Sequence, residues 1–438
     1  MAGDWREVPI GEIAEIFDGP HATPPKTEMG PVFLGISNLA QGRLDLSDTE
    51  HLSEADYRRW TRRVTPEGGD TVFSYETRLG EAALIPSGFR CCLGRRMGLL
   101  RARPGKVDPR FLLYAYLGPE FQETLRSRTV RGSTVDRIPL IDMPAFQIRV
   151  PTDITEQRAI AHVLGTLDDK IELNRQMNET LGAIARALFK SWFVDFDPVR
   201  AKAARCDPGL PKPLADLFPD SFEDSELGEI PKGWRVHTVN DVAEINAKTL
   251  STADAPDAID YIEISEVMRG EIGDVVRYEK GAEPSRARRC LRHGDSVLST
   301  VRPDRGAHFL CLNPAVTLIA STGFAVLSPR DGNWAFLYSA LTRREVGDEL
   351  GRLADGGAYP AIRPEAIGRL SFVIPKGSPI VSAFQQLVAP LFEQSQENRV
   401  EAKSLAVLRD TLLPGLVSGE ICPDVQRTTG RAQAGGVR

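Results

Sequence analysis

Arginines raise the first chemical question. Arg58-Arg59 and Arg62-Arg63 place four guanidinium groups within six residues, Arg95-Arg96 forms a second pair, and Arg126, Arg128 and Arg131 form a looser third group. Further along, Arg286, Arg288, Arg289 and Arg292 are followed by Arg302 and Arg305. A guanidinium is a rigid fork of donors that matches a phosphate, or the O6/N7 edge of guanine, with two hydrogen bonds at once. These groups are therefore candidates for nucleic-acid contact. The competing reading for each is a solvated charged face.

Catalytic patterns are missing. There is no Gly-x4-Gly-Lys-Ser/Thr phosphate loop. No Asn-Pro-Pro-aromatic stretch of an amino-methyltransferase is present; Asn313-Pro314-Ala315 fails at its third residue. Glu401-Ala402-Lys403 has nuclease-like spacing but no preceding Pro-Asp, and reads as a helix face. Neither the 6 histidines nor the 6 cysteines have metal-ligand spacing, and the cysteines do not suggest a disulfide framework. We expect no catalytic residue, no metal site and no cofactor bound by this chain.

The formal net charge of −6 argues against a nucleic-acid partner only until its distribution is examined. Residues 1–150 carry 20 basic and 20 acidic side chains, and 18 of those basic residues are Arg. Residues 232–375 carry 18 basic residues, of which 15 are Arg, against 19 acidic. The acidic excess lies mainly between these segments, where it suits protein docking. The composition is that of a globular chain, with 42 % hydrophobic and 26 % charged residues. No run is long and apolar enough to span a bilayer, and the N-terminus has no secretory pattern. A reducing cytoplasm is the expected compartment.

The elements that must position the arginines come as a repeat. Trp5-Arg6 through Ala14-Glu15-Ile16 recurs as Trp234-Arg235 through Ala243-Glu244-Ile245, and Gly69-Asp70-Thr71-Val72 recurs as Gly294-Asp295-Ser296-Val297. Gly35 to Leu39 matches Glu263 to Val267, Phe111-Leu112 matches Phe336-Leu337, and Val150-Pro151 matches Ile374-Pro375. Asn174-Arg175 matches Asn398-Arg399. These matches keep their order while the offset drifts only from 229 to 224, the mark of a tandem duplication. Arg131-Gly132-Ser133-Thr134 then has Gly356-Gly357-Ala358-Tyr359 as its counterpart.

Each unit begins with short β-like runs, such as Asp70 to Ser74 and Gly98 to Arg103, set among Gly/Pro turns. A helical part follows. From Ile160, the residues Leu164, Leu167, Ile171, Asn174, Asn178, Leu181, Ala185, Leu188 and Trp192 alternate steps of four and three, the pattern of a coiled-coil seam. Val388, Leu391, Ser395, Asn398, Ala402, Leu405 and Leu412 follow the same seam in the second unit. Asp153 and Ser378 are the expected N-caps. Asn174 and Asn398 sit at equivalent seam positions, either buried to fix register or partly exposed and neutral.

The organisation expected is a first globule at 1–152, a helical spacer at 153–199, a Pro- and charge-rich linker at 200–231, a second globule at 232–376, a second spacer at 377–422 and a disordered tail at 423–438. The fold class is α+β: two duplicated mixed α/β globules separated by two long antiparallel coiled-coil helices, a pseudo-two-fold dumbbell. A rod of roughly 50–60 Å exceeds one turn of duplex DNA. Such an object could read two unlike half-sites with an unread gap, or serve as a duplicated protein scaffold.

Ile154-Thr155-Glu156-Gln157-Arg158, Leu167-Asp168-Asp169-Lys170-Ile171 and Ala187-Leu188-Phe189-Lys190-Ser191-Trp192-Phe193 resemble the central conserved region of the specificity subunit of Type I restriction–modification systems. Leu408-Arg409-Asp410-Thr411-Leu412-Leu413-Pro414 with Ser418-Gly419-Glu420-Ile421 resembles the distal conserved region. Phe384-Gln385-Gln386 departs from the Glu-Gln start of the first helix.

The resemblance implies that the globules are target recognition domains for double-stranded DNA. It also implies two modification (methyltransferase) subunits and restriction subunits as partners, with S-adenosylmethionine, ATP and Mg on those partners. A DNA-facing loop is expected at Asp18-Gly19-Pro20-His21-Ala22-Thr23-Pro24, with Gly19, His21 and Thr23 as contacts. Ser133 and Tyr359 in the two later turns are further candidates, ordinary turn chemistry being the alternative for all of these. Trp192, Phe193 and Phe196 either cap the coiled coil against a globule or, with Asn174 and Asn398 on the spacers, mark a docking surface for a partner. A stand-alone binding scaffold without a methyltransferase is the competing function.

Overall fold

The structure is a computed structural model that describes residues 4–20, 23–40, 42–132, 135–251, 256–357, 360–375 and 379–423. It divides into two compact units, one of residues up to Leu173 together with those from Glu401 on, the other Asn174–Val400.

In the first unit, Trp5–Pro9 pairs antiparallel with Gln147–Pro151. A four-stranded antiparallel sheet has the order Ala14–Asp18, Met97–Ala102, Thr71–Ser74, Ala82–Leu84. Its central strands, Met97–Ala102 and Thr71–Ser74, are largely buried on both faces, which suits the Leu99-Leu100 and Val72-Phe73 side chains they carry. Gly98 is required there, because a Cβ would come within 2.4 Å of the Phe73 ring. A second sheet orders Glu50–His51, Thr27–Leu34 and Cys91–Leu93, the last pair parallel. Helix Pro109–Leu117 starts on Asp108, whose carboxylate accepts from the Arg110 and Phe111 N–H groups, with Pro109 at the first helical position.

The second unit repeats this plan. Trp234–Thr238 pairs with Ser371–Pro375, and the main sheet has the order Ala243–Ile245, Phe324–Pro329, Asp295–Ser299, His308–Cys311. Its second sheet again contains a parallel pair, Ala258–Ile262 with Leu318–Ser321. The duplication thus reaches the pairing of individual strands. Equivalent positions nonetheless differ in chemistry. Buried Asp70 is held bidentately by Arg101 at 2.9 and 2.7 Å. Asp295 instead accepts from Ser328 at 2.5 Å, and burial pushes its pKa up.

Each unit contains parts of two helices of 40 residues, Ile154–Phe193 and Pro379–Ser418. Thr155 N–H donates to Asp153, as a capping residue requires; Ser378 lies outside the described residues. Every seam position named from the sequence is buried or half-buried, and none is exposed. Pro390 lies inside the second helix with an exposed side chain, and its missing N–H leaves the Gln386 carbonyl without its helical donor.

The 200–231 segment is structured, contrary to a linker. It includes most of helix Asp197–Ala203, a short helical turn Lys212–Ala215, and a hairpin of Phe222–Ser225 with Gly228–Pro231. Phe218 is buried edge-on to Trp192 at 5.2 Å, and Lys202 Nζ donates to the Ala215 and Phe218 carbonyls. Aromatic anchoring outweighs the prolines that suggested an open chain. All but the first residue of the expected tail lies outside the described residues. Among the described residues, no helix is long and apolar enough to cross a membrane.

Candidate nucleic-acid interface

In the first unit, Ser53 caps helix Glu54–Trp60 by accepting from Asp56 N–H. The helix carries Arg58 and Arg59, and the turn after it carries Arg62 and Arg63; all four are exposed. Arg59 lies over the Trp60 ring at 5.3 Å and Arg63 stands 3.9 Å from Asp18. Arg59, Arg62 and Arg63 meet the Asp18-Gly19-Pro20 turn around a groove of ≈ 420 Å³.

A second groove of ≈ 420 Å³ shares Asp18 and is lined by Tyr75, Glu76, Arg95, Arg96 and Arg137 together with residues 138–141. Burial and the adjacent Asp18 carboxylate push the Tyr75 pKa well above its usual value, so its hydroxyl stays protonated beside that carboxylate. Arg96 has a left-handed backbone (φ 76°), and its guanidinium reaches Glu76 at 2.9 Å and Thr77 Oγ1 at 3.3 Å. Two basic concavities therefore flank one carboxylate, which could receive phosphates and base edges.

Gly19 is packed against its own fold. A Cβ there would lie 2.6 Å from the Met97 carbonyl and 2.8 Å from that of Gly94, so glycine is needed for close approach to the protein's own backbone. Thr23, Arg128 and Arg131 are exposed but line neither groove. His21, Ser133 and Tyr359 lie outside the described residues.

In the second unit, Arg286, Arg292 and Arg305 are exposed. Arg302 is half-buried, with φ 46°, at the start of the turn Pro303–Arg305. Arg288 and Arg289 turn toward the protein: Arg288 stands 3.9 Å from Glu283, and Arg289 Nε donates to the Phe324 carbonyl at 3.3 Å. Burial lowers the Arg289 pKa. Both side chains are half-buried and make contacts within the fold.

The loops of the two units share one framework. Thr77 and Arg302, 225 residues apart, are both left-handed. Ser74 Oγ donates to the Glu76 carbonyl and Ser299 Oγ to that of Val301. Arg137 bridges Glu76 and Val130, as Ala361 bridges Val301 and Asp355. The framework is common while the side chains on it differ. Tyr75 and Arg137 were not singled out in the sequence. Arg137 becomes recognisable only when the repeat is aligned through this bridge.

The docking candidates are not surface groups. Trp192, Phe193 and Phe196 are 1 %, 6 % and 8 % exposed, within one core with Phe384, Phe336 and Trp234. Asn174 and Asn398 are likewise buried. A partner cannot dock on them while the fold is intact. Among the described residues, no group of three His, Cys, Asp or Glu could hold a metal.

Residues 2–183 match the family described as the Type I restriction modification DNA specificity domain. The chain is 28 % identical over 374 residues to the Type I restriction enzyme HindI specificity subunit of Haemophilus influenzae, covering 72 % of this chain and 78 % of that one. It is 26 % identical over 447 residues to the MjaIX specificity subunit of Methanocaldococcus jannaschii, covering 95 % and 94 %. In fold it is similar to the crystal structure of the Type-I restriction-modification system S subunit from M. genitalium, with TM-score 0.55, 16 % identity, and 94 % and 96 % of the two chains covered.

Proposed function

Since residues 2–183 match the Type I restriction modification DNA specificity domain, we propose that this chain is a specificity subunit of such a system and reads a bipartite, asymmetric DNA target through its two globules. Specificity subunits recognise DNA and are not catalytic. The finer reading rests on one observation: equivalent turns in the two units, anchored by equivalent hydrogen bonds, carry different side chains. Arginines and polar groups on those turns read base edges, and phosphate contacts set the register.

The two helices of 40 residues are about 60 Å long at 1.5 Å per residue. We take them as the spacer of a pseudo-two-fold dumbbell that sets the unread gap between half-sites. Two modification subunits and the restriction subunits complete the assembly. S-adenosylmethionine, ATP and Mg act on those partners.

The test is co-expression with the methyltransferase encoded beside the chain, followed by single-molecule mapping of methylated adenines. A split, asymmetric motif that vanishes without this chain is expected. An assembled, active complex that gives no motif would favour a scaffold instead.

A further inference from the structure

Ile141 stands at the tip of a turn and is 90 % exposed, while Ile138 and Met143 on either side are buried. The turn is tied down: Asp142 and Met143 N–H groups donate to the Pro139 carbonyl at 3.1 and 3.2 Å, and Ile138 N–H donates to the Tyr75 carbonyl at 2.8 Å. A branched apolar side chain held in water contributes little to the fold. Single exposed apolar residues are common on protein surfaces; the surroundings set this one apart. It lines a concave groove together with Arg95, Arg96 and Arg137.

The equivalent position in the second unit, 224 residues on, is the exposed Glu365. Ile138 and Met143 align with the buried Ile362 and Ile367 on the same register. One framework position thus presents an apolar group in one unit and a carboxylate in the other. In a DNA major groove these two chemistries separate the pyrimidines: apolar contact suits the thymine methyl, and a carboxylate accepts from the cytosine amino group.

We propose that Ile141 is a specificity-determining residue that packs against the C5-methyl of a thymine in the half-site read by the first globule. The inference rests on that globule reading DNA. Arg95, Arg96 and Arg137 hold the phosphates or guanine beside that thymine, and the tied turn keeps the ordering cost of the contact low.

The experiment co-expresses the parent chain, Ile141→Ser and Ile141→Val with the adjacent methyltransferase and maps methylated adenines. Ile141→Ser should relax one A·T pair in one half of the motif only, while Ile141→Val retains the parental motif. Binding is then measured on a duplex of the mapped motif in which the thymines of that half are replaced singly by deoxyuridine. One replacement should weaken the parent about three- to tenfold and leave Ile141→Ser unaffected. Parental motif and affinity in Ile141→Ser, or equal weakening of both proteins by every replacement, would overturn the proposal. A lowered melting temperature accompanying the weaker binding would assign Ile141 to the fold and also overturn it. A parent chain that yields no motif fails the underlying DNA-reading function instead, so the two failures are distinguishable.

Discussion

Asn398 Nδ2 donates to Asn178 Oδ1 at 2.9 Å, joining the two long helices through a polar contact inside a mostly apolar seam. Asn174 Nδ2 adds a contact to the Asn398 carbonyl at 3.4 Å, and Gln394 donates to Asn398 Oδ1 at 3.0 Å. A buried amide layer adds little net stability but penalises every register that leaves it unmatched.

Asn398→Leu should therefore destabilise the chain by about 1–3 kcal/mol, because the half-buried Asn178 loses its donor inside the seam. Replacing Asn174, Asn178 and Asn398 together by Leu should recover most of that stability, since no amide is then left unmatched. Urea denaturation of the single and triple variants checks both. A triple variant weaker than the single one would refute a role in register.

In the first unit a different polar device ties the helices together. Arg409 donates to Asp168 Oδ1 at 2.9 Å, while the Tyr114 hydroxyl donates to Asp168 Oδ2 at 2.6 Å. Burial and this carboxylate push the Tyr114 pKa up, so the phenol stays a donor at all ordinary pH. Asp168→Ala leaves the buried Tyr114 hydroxyl without its acceptor and the Arg409 guanidinium with Asp410 as its remaining partner, and should cost about 1–3 kcal/mol. Asp168→Asn, which keeps an acceptor oxygen, should cost less. Melting temperatures of the two variants test the order; equal destabilisation would mean the carboxylate charge alone matters.

The helices and the duplication were legible because periodicity survives in a single sequence. Each seam residue from Ile160 to Trp192 lies where the three–four stepping places it. Strand order was not legible, since pairing Met97–Ala102 between Ala14–Asp18 and Thr71–Ser74 depends on contacts far apart in sequence. The 200–231 segment misled because its prolines are a local signal, whereas Phe218 against Trp192 is a tertiary one. Charge runs located the groove at Arg59, Arg62 and Arg63. They could not separate Arg289, which turns inward, from Arg286, which does not.

Acidification should expose a titration in the second unit. His308 Nδ1 is hydrogen-bonded to the Tyr338 hydroxyl at 3.0 Å, and its pKa is pushed down to about 4, first by burial and then by the Arg269 and Arg399 charges. An unfolded histidine titrates near 6.5. Between these values the unfolded chain binds a proton that the folded chain refuses. Stability should therefore fall as the pH drops from about 6.5 to about 4, by at most about 3 kcal/mol, and this contribution should level off below that. Denaturation of the parent and His308→Gln at pH 7.5, 5.5 and 4.5 isolates the effect, because the variant should be destabilised less on acidification. Parallel profiles would rule His308 out.

The first groove makes the final prediction. Arg59, Arg62 and Arg63 are exposed and converge on one concavity, as phosphate binding requires. For duplex DNA, removing one guanidinium from a phosphate should flatten the slope of log K against log salt by about 0.9. The triple change Arg59→Ala/Arg62→Ala/Arg63→Ala should therefore weaken binding of the methyltransferase complex to target and non-target duplexes alike, and flatten the slope by about 2–3. The mapped methylation motif should stay the same, because phosphates carry no sequence information. An altered motif would move one of these arginines from the backbone to a base edge. Unchanged affinity at low salt would remove the groove from the interface.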